Sequence, residues 1–254
     1  MTTKVELFDC MLNVTAELFF NLEKELFWHV YADRPGDLLD IGCGNGAYLS
    51  KLHTLFPSMQ LTGLETEEGI FRRALAKQTP GMKFRHGSFE DLPAEAMYDI
   101  VVARLVMAHI RDRRQLYRWL QAHTHAGAAV IVLDVEEDEL DGIRLPPLFT
   151  ALYRSSRKAI RKRSLLRFKD SLRLELEAAG FRHDAADTYA VHTGQTEVRE
   201  RLYRYMRLVT ESLLGTPLSA EREYELDVWR LDPNAHLEIR MFGMTFTKQE
   251  LLSD

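Results

Sequence analysis

The residues best suited to chemistry lie at 38–46, in the run Leu-Leu-Asp-Ile-Gly-Cys-Gly-Asn-Gly. Asp40 sits inside an apolar stretch, and three alternating glycines follow it. This pattern reads as a strand ending in a tight, side-chain-free turn against which a ligand can press. With Ala47 the run also fits G-x-G-x-x-A, the looser dinucleotide fingerprint, so the glycines alone leave two readings open. A second acid, Glu65, closes the apolar stretch at 59–64, where its carboxylate can accept both hydroxyls of a ribose. Its distance along the chain from Gly46 resembles the acid spacing of dinucleotide sites. His109 follows another apolar run, and an imidazole with a pKa near neutrality can serve there as a general base. Glu136, Glu137 and Asp138 follow a further apolar run. They could recognise a cationic or amine-bearing group, or form a solvated charge run.

These residues need a scaffold, and the rest of the chain predicts one. Residues 4–31 carry apolar and aromatic residues at helical spacing, broken by Pro35-Gly36. Short strands are predicted at 37–41, 59–64, 83–86, 98–103 and 128–134, with helices at 46–55 and 67–78 and another around 116–120. Near-continuous apolar strands separated by helices indicate a parallel sheet covered on both faces. Beyond 145 the rhythm changes. Helices are expected at 146–169, 171–180 and 195–214, with strands at 185–192 and 237–247. The helices at 146–169 and 195–214 read as a cap over the C-terminal ends of the strands.

Composition narrows the class. The chain has 254 residues, 33 Lys and Arg against 38 Asp and Glu, and a net charge of −5, which gives no global attraction to nucleic acid or an anionic membrane. Cys10 and Cys43 are too few for a disulfide framework, and no C-x-x-C zinc pattern or other ligand spacing implies a metal. The start, Met-Thr-Thr-Lys-Val-Glu, has no apolar signal core, and no run reaches about 18 apolar residues. A cytoplasmic location is the expectation. A basic stripe, Arg154, Arg157, Lys158 and Arg161, falls on one face of the predicted helix at 146–169 and is expected to face solvent. An anionic substrate or RNA is the sharper alternative for it.

Five segments in order across 37–136 resemble the class I S-adenosylmethionine-dependent methyltransferases. They are the Asp40–Gly46 turn, the strand closing on Glu65, and His86-Gly-Ser-Phe-Glu-Asp-Leu-Pro93. Then come Tyr98-Asp-Ile-Val-Val-Ala-Arg104 running on to His109-Ile110, and His125-Ala-Gly127 before the strand to Asp134. The resemblance implies a Rossmann-like, seven-stranded, mostly parallel sheet with helices on both faces. It also implies S-adenosylmethionine as cofactor and S-adenosylhomocysteine as product. Carried residue by residue, it implies a binding set of Asp40, Gly42, Cys43, Gly44, Asn45, Gly46, Glu65, Thr66, Ser88, Phe89 and Arg104. Ser88 departs from the family's usual Asp, which weakens its expected contact with the adenine amine; Phe89 would meet the ring through its backbone N–H. Arg104 would face the methionine end, or pair with a nearby acid and contribute only its carbonyl. His109 is the catalytic candidate, with packing as its alternative.

The expected organisation is one integrated domain: an N-terminal helical lid at 1–34, a cofactor-binding core at 35–145, and cap helices with the last strands at 146–254. The expected function is methyl transfer to N, O or C of a small-molecule acceptor, with homodimerisation left open. The alternatives are a methyltransferase acting on RNA or protein and a protein that binds the cofactor without catalysis.

Overall fold

A computed structural model of the chain describes residues 3–31, 35–136, 140–161 and 166–249. Its centre is one sheet in the order β3-β2-β1-β4-β5-β8. These strands are β1 (Gly36–Ile41), β2 (Met59–Glu65), β3 (Met82–His86), β4 (Tyr98–Arg104), β5 (Thr124–Val135) and β8 (His236–Lys248). The first five run parallel, and β8 is antiparallel to β5. Beyond β8 lies β7 (Phe181–His192), while the three-residue β6 (Asp141–Ile143) continues the line of β5 along the other edge of β8.

Both faces of the central strands β1, β4 and β5 are buried, which explains their unbroken apolar runs. Alternate residues of each strand enter opposite layers. Leu38, Ile100, Val102, Ile131 and Leu133 enter one cluster, and Leu39, Ile41, Val101, Val130 and Val132 enter the other. Helices α1 (Lys4–Glu23), α2 (Ala47–Leu55), α5 (Pro147–Arg161), α7 (Thr196–Leu214) and α8 (Ala220–Leu231) supply the first layer. Helices α4 (Arg113–His123) and α6 (Phe168–Ala178) supply the second. Helix α3 (Glu68–Leu75) sits beside β2 and β3.

Three expectations need correction. The helix predicted over 4–31 is α-helical only to Glu23; a π-turn (Lys24–Trp28) and a 3-10 turn (His29–Tyr31) complete it. The cause is packing. Phe27 and Trp28 are adjacent in sequence and both buried, and a wide turn rotates both inward where a regular helix would expose one. Gly243 on β8 makes this possible, because a Cβ there would lie 2.2 Å from the Phe27 ring. Second, the helix expected at 146–169 is α5 ending at Arg161 and α6 beginning at Phe168; residues 162–165 lie outside the described set. Third, α8 and β6 have no counterpart among the predicted elements. Helix α8 buries Leu226 and Trp229 but leaves Tyr224, Val228 and Leu231 exposed, so its apolar residues trace no single stripe.

Candidate active site

The parallel strands end on one side of the sheet, and their ends converge. Gly42 follows β1, Glu65 ends β2, Arg104 ends β4 and Asp134 lies near the end of β5. A cavity of about 540 Å³ opens there, within the range of small-molecule sites (~300–1,000 Å³). Helix α1 covers one side with Met11, Leu12 and Phe19; α5 contributes Tyr153 and Arg157, and α7 contributes Tyr205 and Val209.

The glycine turn is held by the residues around it. Glu65 Oε2 accepts from the Gly44 N–H at 3.1 Å, and its Oε1 accepts from the Glu67 N–H at 2.8 Å. The Cys43 N–H donates to the Leu64 carbonyl at 2.8 Å, so the turn is stitched to the end of β2. Gly42 and Gly44 have φ of 73° and 56°, in the left-handed region. A Cβ on Gly42 would lie 2.6 Å from Val106, and one on Gly44 would lie 2.9 Å from Leu12. The glycines therefore serve the protein's own packing as well as any ligand. Asn45 spans turn and lid: its Nδ2 donates to Asp9 Oδ1 at 2.7 Å, and its Oδ1 accepts from the Ala47 N–H at 3.0 Å. Lys77 donates to the Asn45 carbonyl at 2.7 Å, and burial lowers the pKa of its amine.

Arg104 takes the ion-pair role. Its Nε lies 3.1 Å from both oxygens of Glu23, Nη2 donates to the Thr15 carbonyl at 3.3 Å, and the guanidinium stacks 4.4 Å above the Tyr48 ring. Tyr189 donates to Glu23 at 2.9 Å. Burial works against the Arg104 charge, but Glu23 and the two tyrosines outweigh it and hold its pKa above the ordinary value. Leu105, next in sequence, adopts φ 56°, a costly conformation for a leucine, where the chain turns along the cavity wall.

Two carboxylates facing the cavity lack full compensation. Asp40 is 2% exposed and its Oδ1 has no hydrogen-bond partner among the described residues. Burial raises its pKa to about 7, with Arg104 opposing and Glu65 adding to the rise. Asp134 Oδ1 accepts from the Val135 N–H at 2.8 Å while Oδ2 is unpartnered, and burial raises this group to about 6. A carboxyl with a raised folded-state pKa binds its proton more tightly folded than unfolded. The stability it leaves intact below pH 4 is lost as pH climbs through the folded value. The ligand-free protein should therefore lose roughly 2–4 kcal/mol between pH 4 and 7.5 through Asp40. Asp40→Asn should remove that part of the slope in urea unfolding at the two pH values. Parallel slopes for parent and variant would contradict the assignment.

Of the residues expected to bind the cofactor, Asp40, Gly42, Cys43, Gly44, Asn45, Glu65, Thr66 and Arg104 line the cavity, as does His109. His109 stands exposed at the rim, its backbone N–H donating to the Val106 carbonyl at 2.8 Å. Three residues do not line it. Gly46 caps α2 with φ 74°, and its Cβ position meets the Phe84 ring at 2.6 Å, facing the core. Ser88 caps a short 3-10 turn, its Oγ accepting from the Glu90 N–H at 3.2 Å, and the Phe89 ring packs on Trp119. Glu136 also lies off the cavity, 3.7 Å from Lys169 and in hydrogen-bond contact with Thr188; Glu137 and Asp138 lie outside the described residues. The basic stripe does not stay in solvent as a unit. Arg154 is exposed, but Arg157 turns half-buried into the cavity because its neighbour on the helix, Tyr153, packs there too. The side chains of Lys158 and Arg161 lie outside the described set. No group of His, Cys, Asp or Glu able to hold a metal occurs among the described residues. No described helix is long and apolar enough to cross a membrane.

Residues 38–127, from β1 to the start of β5, match the family model described as a methyltransferase domain. Over these residues the chain is similar to methyltransferase domains. Two curated relatives match part of the chain. The trans-aconitate 2-methyltransferase of Deinococcus radiodurans is 26% identical over 101 residues, 39% of this chain and 38% of the relative. The malonyl-acyl-carrier-protein O-methyltransferase of Bacillus anthracis is 26% identical over 117 residues, 46% of this chain and 44% of the relative. The match thus spans less than half of these relatives. In overall fold the chain is similar to Phospholethanolamine N-methyltransferase 2 of Haemonchus contortus, solved with S-adenosylhomocysteine, at a TM-score of 0.60 and 15% identity. That likeness covers 98% of this chain and 58% of the other. The matched segment supplies the glycine turn, Glu65 and Arg104 to the cavity. The walls from α1, α5 and α7 lie outside the matched segment.

Proposed function

We propose that the protein transfers a methyl group from S-adenosylmethionine to N, O or C of a small-molecule acceptor. The observation that carries this reading is the Glu65 carboxylate. Two backbone N–H groups pin it in the cavity, one from the glycine turn, and each oxygen keeps a lone pair for a ribose hydroxyl. The orphaned Asp40 Oδ1 fits the same ligand, since an ammonium group could supply its missing donor. Bound there, the cofactor supplies a methyl group already activated by a positive sulfur. The protein's task is then to position the acceptor, exclude water and, where the acceptor carries a proton, receive it. Arg104 fixes the floor of the site by tying the end of β4 to α1, and His109 stands at the rim where a departing proton could be taken. The size of the cavity and its cover by three helices favour a small acceptor over a groove-bound macromolecule.

Calorimetric titration with S-adenosylhomocysteine and, in parallel, with NAD tests the reading. Only the first should bind, and Glu65→Ala should weaken it by about 1–3 kcal/mol, the cost of leaving buried hydroxyls unpaired. NAD binding, or unchanged affinity in the variant, would overturn it. Transfer of a labelled methyl group to small molecules rather than to RNA or protein would then separate the catalytic alternatives. No transfer at all would point to a binding protein.

A further inference from the structure

The cavity extends past the strand ends that meet the cofactor in this reading. Its lining also holds Asp134 beside the end of β5, Tyr153, Ser156 and Arg157 of α5, and Tyr205 and Ser212 of α7. Two of these groups have opposite charge and do not satisfy each other. Asp134 is 2% exposed, and its Oδ2 lacks any hydrogen-bond partner among the described residues. Arg157 acts on it electrostatically, but the guanidinium lies 5.2 Å from the centre of the Tyr153 ring, which holds it by a cation–π contact. Tyr153 and Tyr205 are both buried and line the same cavity. A buried carboxylate oxygen without a donor, beside a half-buried cation on the same cavity, is costly unless a ligand joins them. Phe19, Val209, Ile239 and Met241 add apolar surface to the same cavity.

We infer that this part of the lining selects a small acceptor carrying an ionised acid group and a separate O–H or N–H. Arg157 receives the acid in its planar fork, and Asp134 accepts the hydrogen of the second group. The inference rests on the methyltransferase reading. It assigns the substrate class to residues outside the matched segment, and it gives Arg157 a role that the exposed Arg154 of the same helix does not share.

The test uses the full chain saturated with S-adenosylhomocysteine, titrated with 3-hydroxybenzoate, 3-hydroxybenzamide and benzoate. The hydroxy acid should bind at least tenfold tighter than its uncharged amide, and tighter than benzoate, which lacks the hydroxyl. Arg157→Gln should abolish the preference for acid over amide, and Arg157→Lys should restore part of it. Asp134→Asn should lessen the preference for the hydroxylated acid while leaving acid over amide intact. Thermal melts of each variant separate loss of recognition from loss of folding. Equal binding of acid and amide would overturn the inference. So would an acid preference that survives Arg157→Gln, or no binding by any of the three. Failure to bind S-adenosylhomocysteine in the first place would instead refute the methyltransferase reading.

Discussion

Arg104→Ala should destabilise the protein by about 3–5 kcal/mol, the cost of stranding a buried partner charge. Glu23 is fully buried and receives Arg104 Nε on both oxygens and the Tyr189 hydroxyl on one. Removing the arginine leaves a carboxylate with one neutral donor in the interior, and it also removes the cation stacked on Tyr48. For a chain of this size the melting temperature should fall by roughly 6–20 °C. The double variant Glu23→Leu/Arg104→Met should recover most of the loss, because an apolar pair of similar volume carries no desolvation penalty. A melting temperature within about 2 °C of the parent for Arg104→Ala would mean that the pair is hydrated in solution.

Gly44→Val should leave no measurable binding of S-adenosylhomocysteine, a loss of more than about a hundredfold, equivalent to roughly 3 kcal/mol. Valine is disfavoured at φ 56°, and its Cβ would sit 2.9 and 3.1 Å from the two methyl carbons of Leu12. Relief requires the Leu12 side chain to turn away or the glycine turn to move. The backbone strain at φ 56° favours movement of the turn, which breaks the Gly44 N–H bond that positions Glu65. Gly127→Val is the matched control. It has a comparable φ of 74° but no atom within 4 Å of its Cβ position, so it should lower stability without touching affinity. If both variants bind equally well, the turn is not the cofactor's cradle.

The parts of this molecule that are legible in the sequence are those fixed by local rules. The apolar runs of β1, β2, β4 and β5 specify strands buried on both faces, and the same pattern puts the acids Asp40 and Glu65 near strand ends. Asp134 reads in the sequence only as the end of a strand, although its setting mirrors that of Asp40. What stays hidden depends on distant packing. The wide turn at Lys24–Trp28 follows from Gly243, more than two hundred residues away, making room for Phe27. Arg157 belongs to a stripe whose periodicity is that of a solvated face, yet it lines the cavity with its guanidinium 5.2 Å from the Tyr153 ring, a contact that periodicity does not reveal. Motif register points Ser88 and Phe89 at the cofactor, but capping and stacking on Trp119 take them off the cavity wall.

Helix α1 also bears on the order in which the molecule assembles. It precedes the sheet in the chain, yet two of its partners come late: Glu23 bonds to Tyr189, 166 residues on, and the helix packs along α7. The βα units from β1 to β5 can form from near neighbours, whereas closing α1 onto them waits for nearly the whole chain. Competence to bind a ligand should therefore be the last property gained on refolding, appearing after the sheet's circular-dichroism signal. Until then the nascent core exposes the apolar face that α1 covers, which makes this helix a target for chaperones as well as a wall of the site.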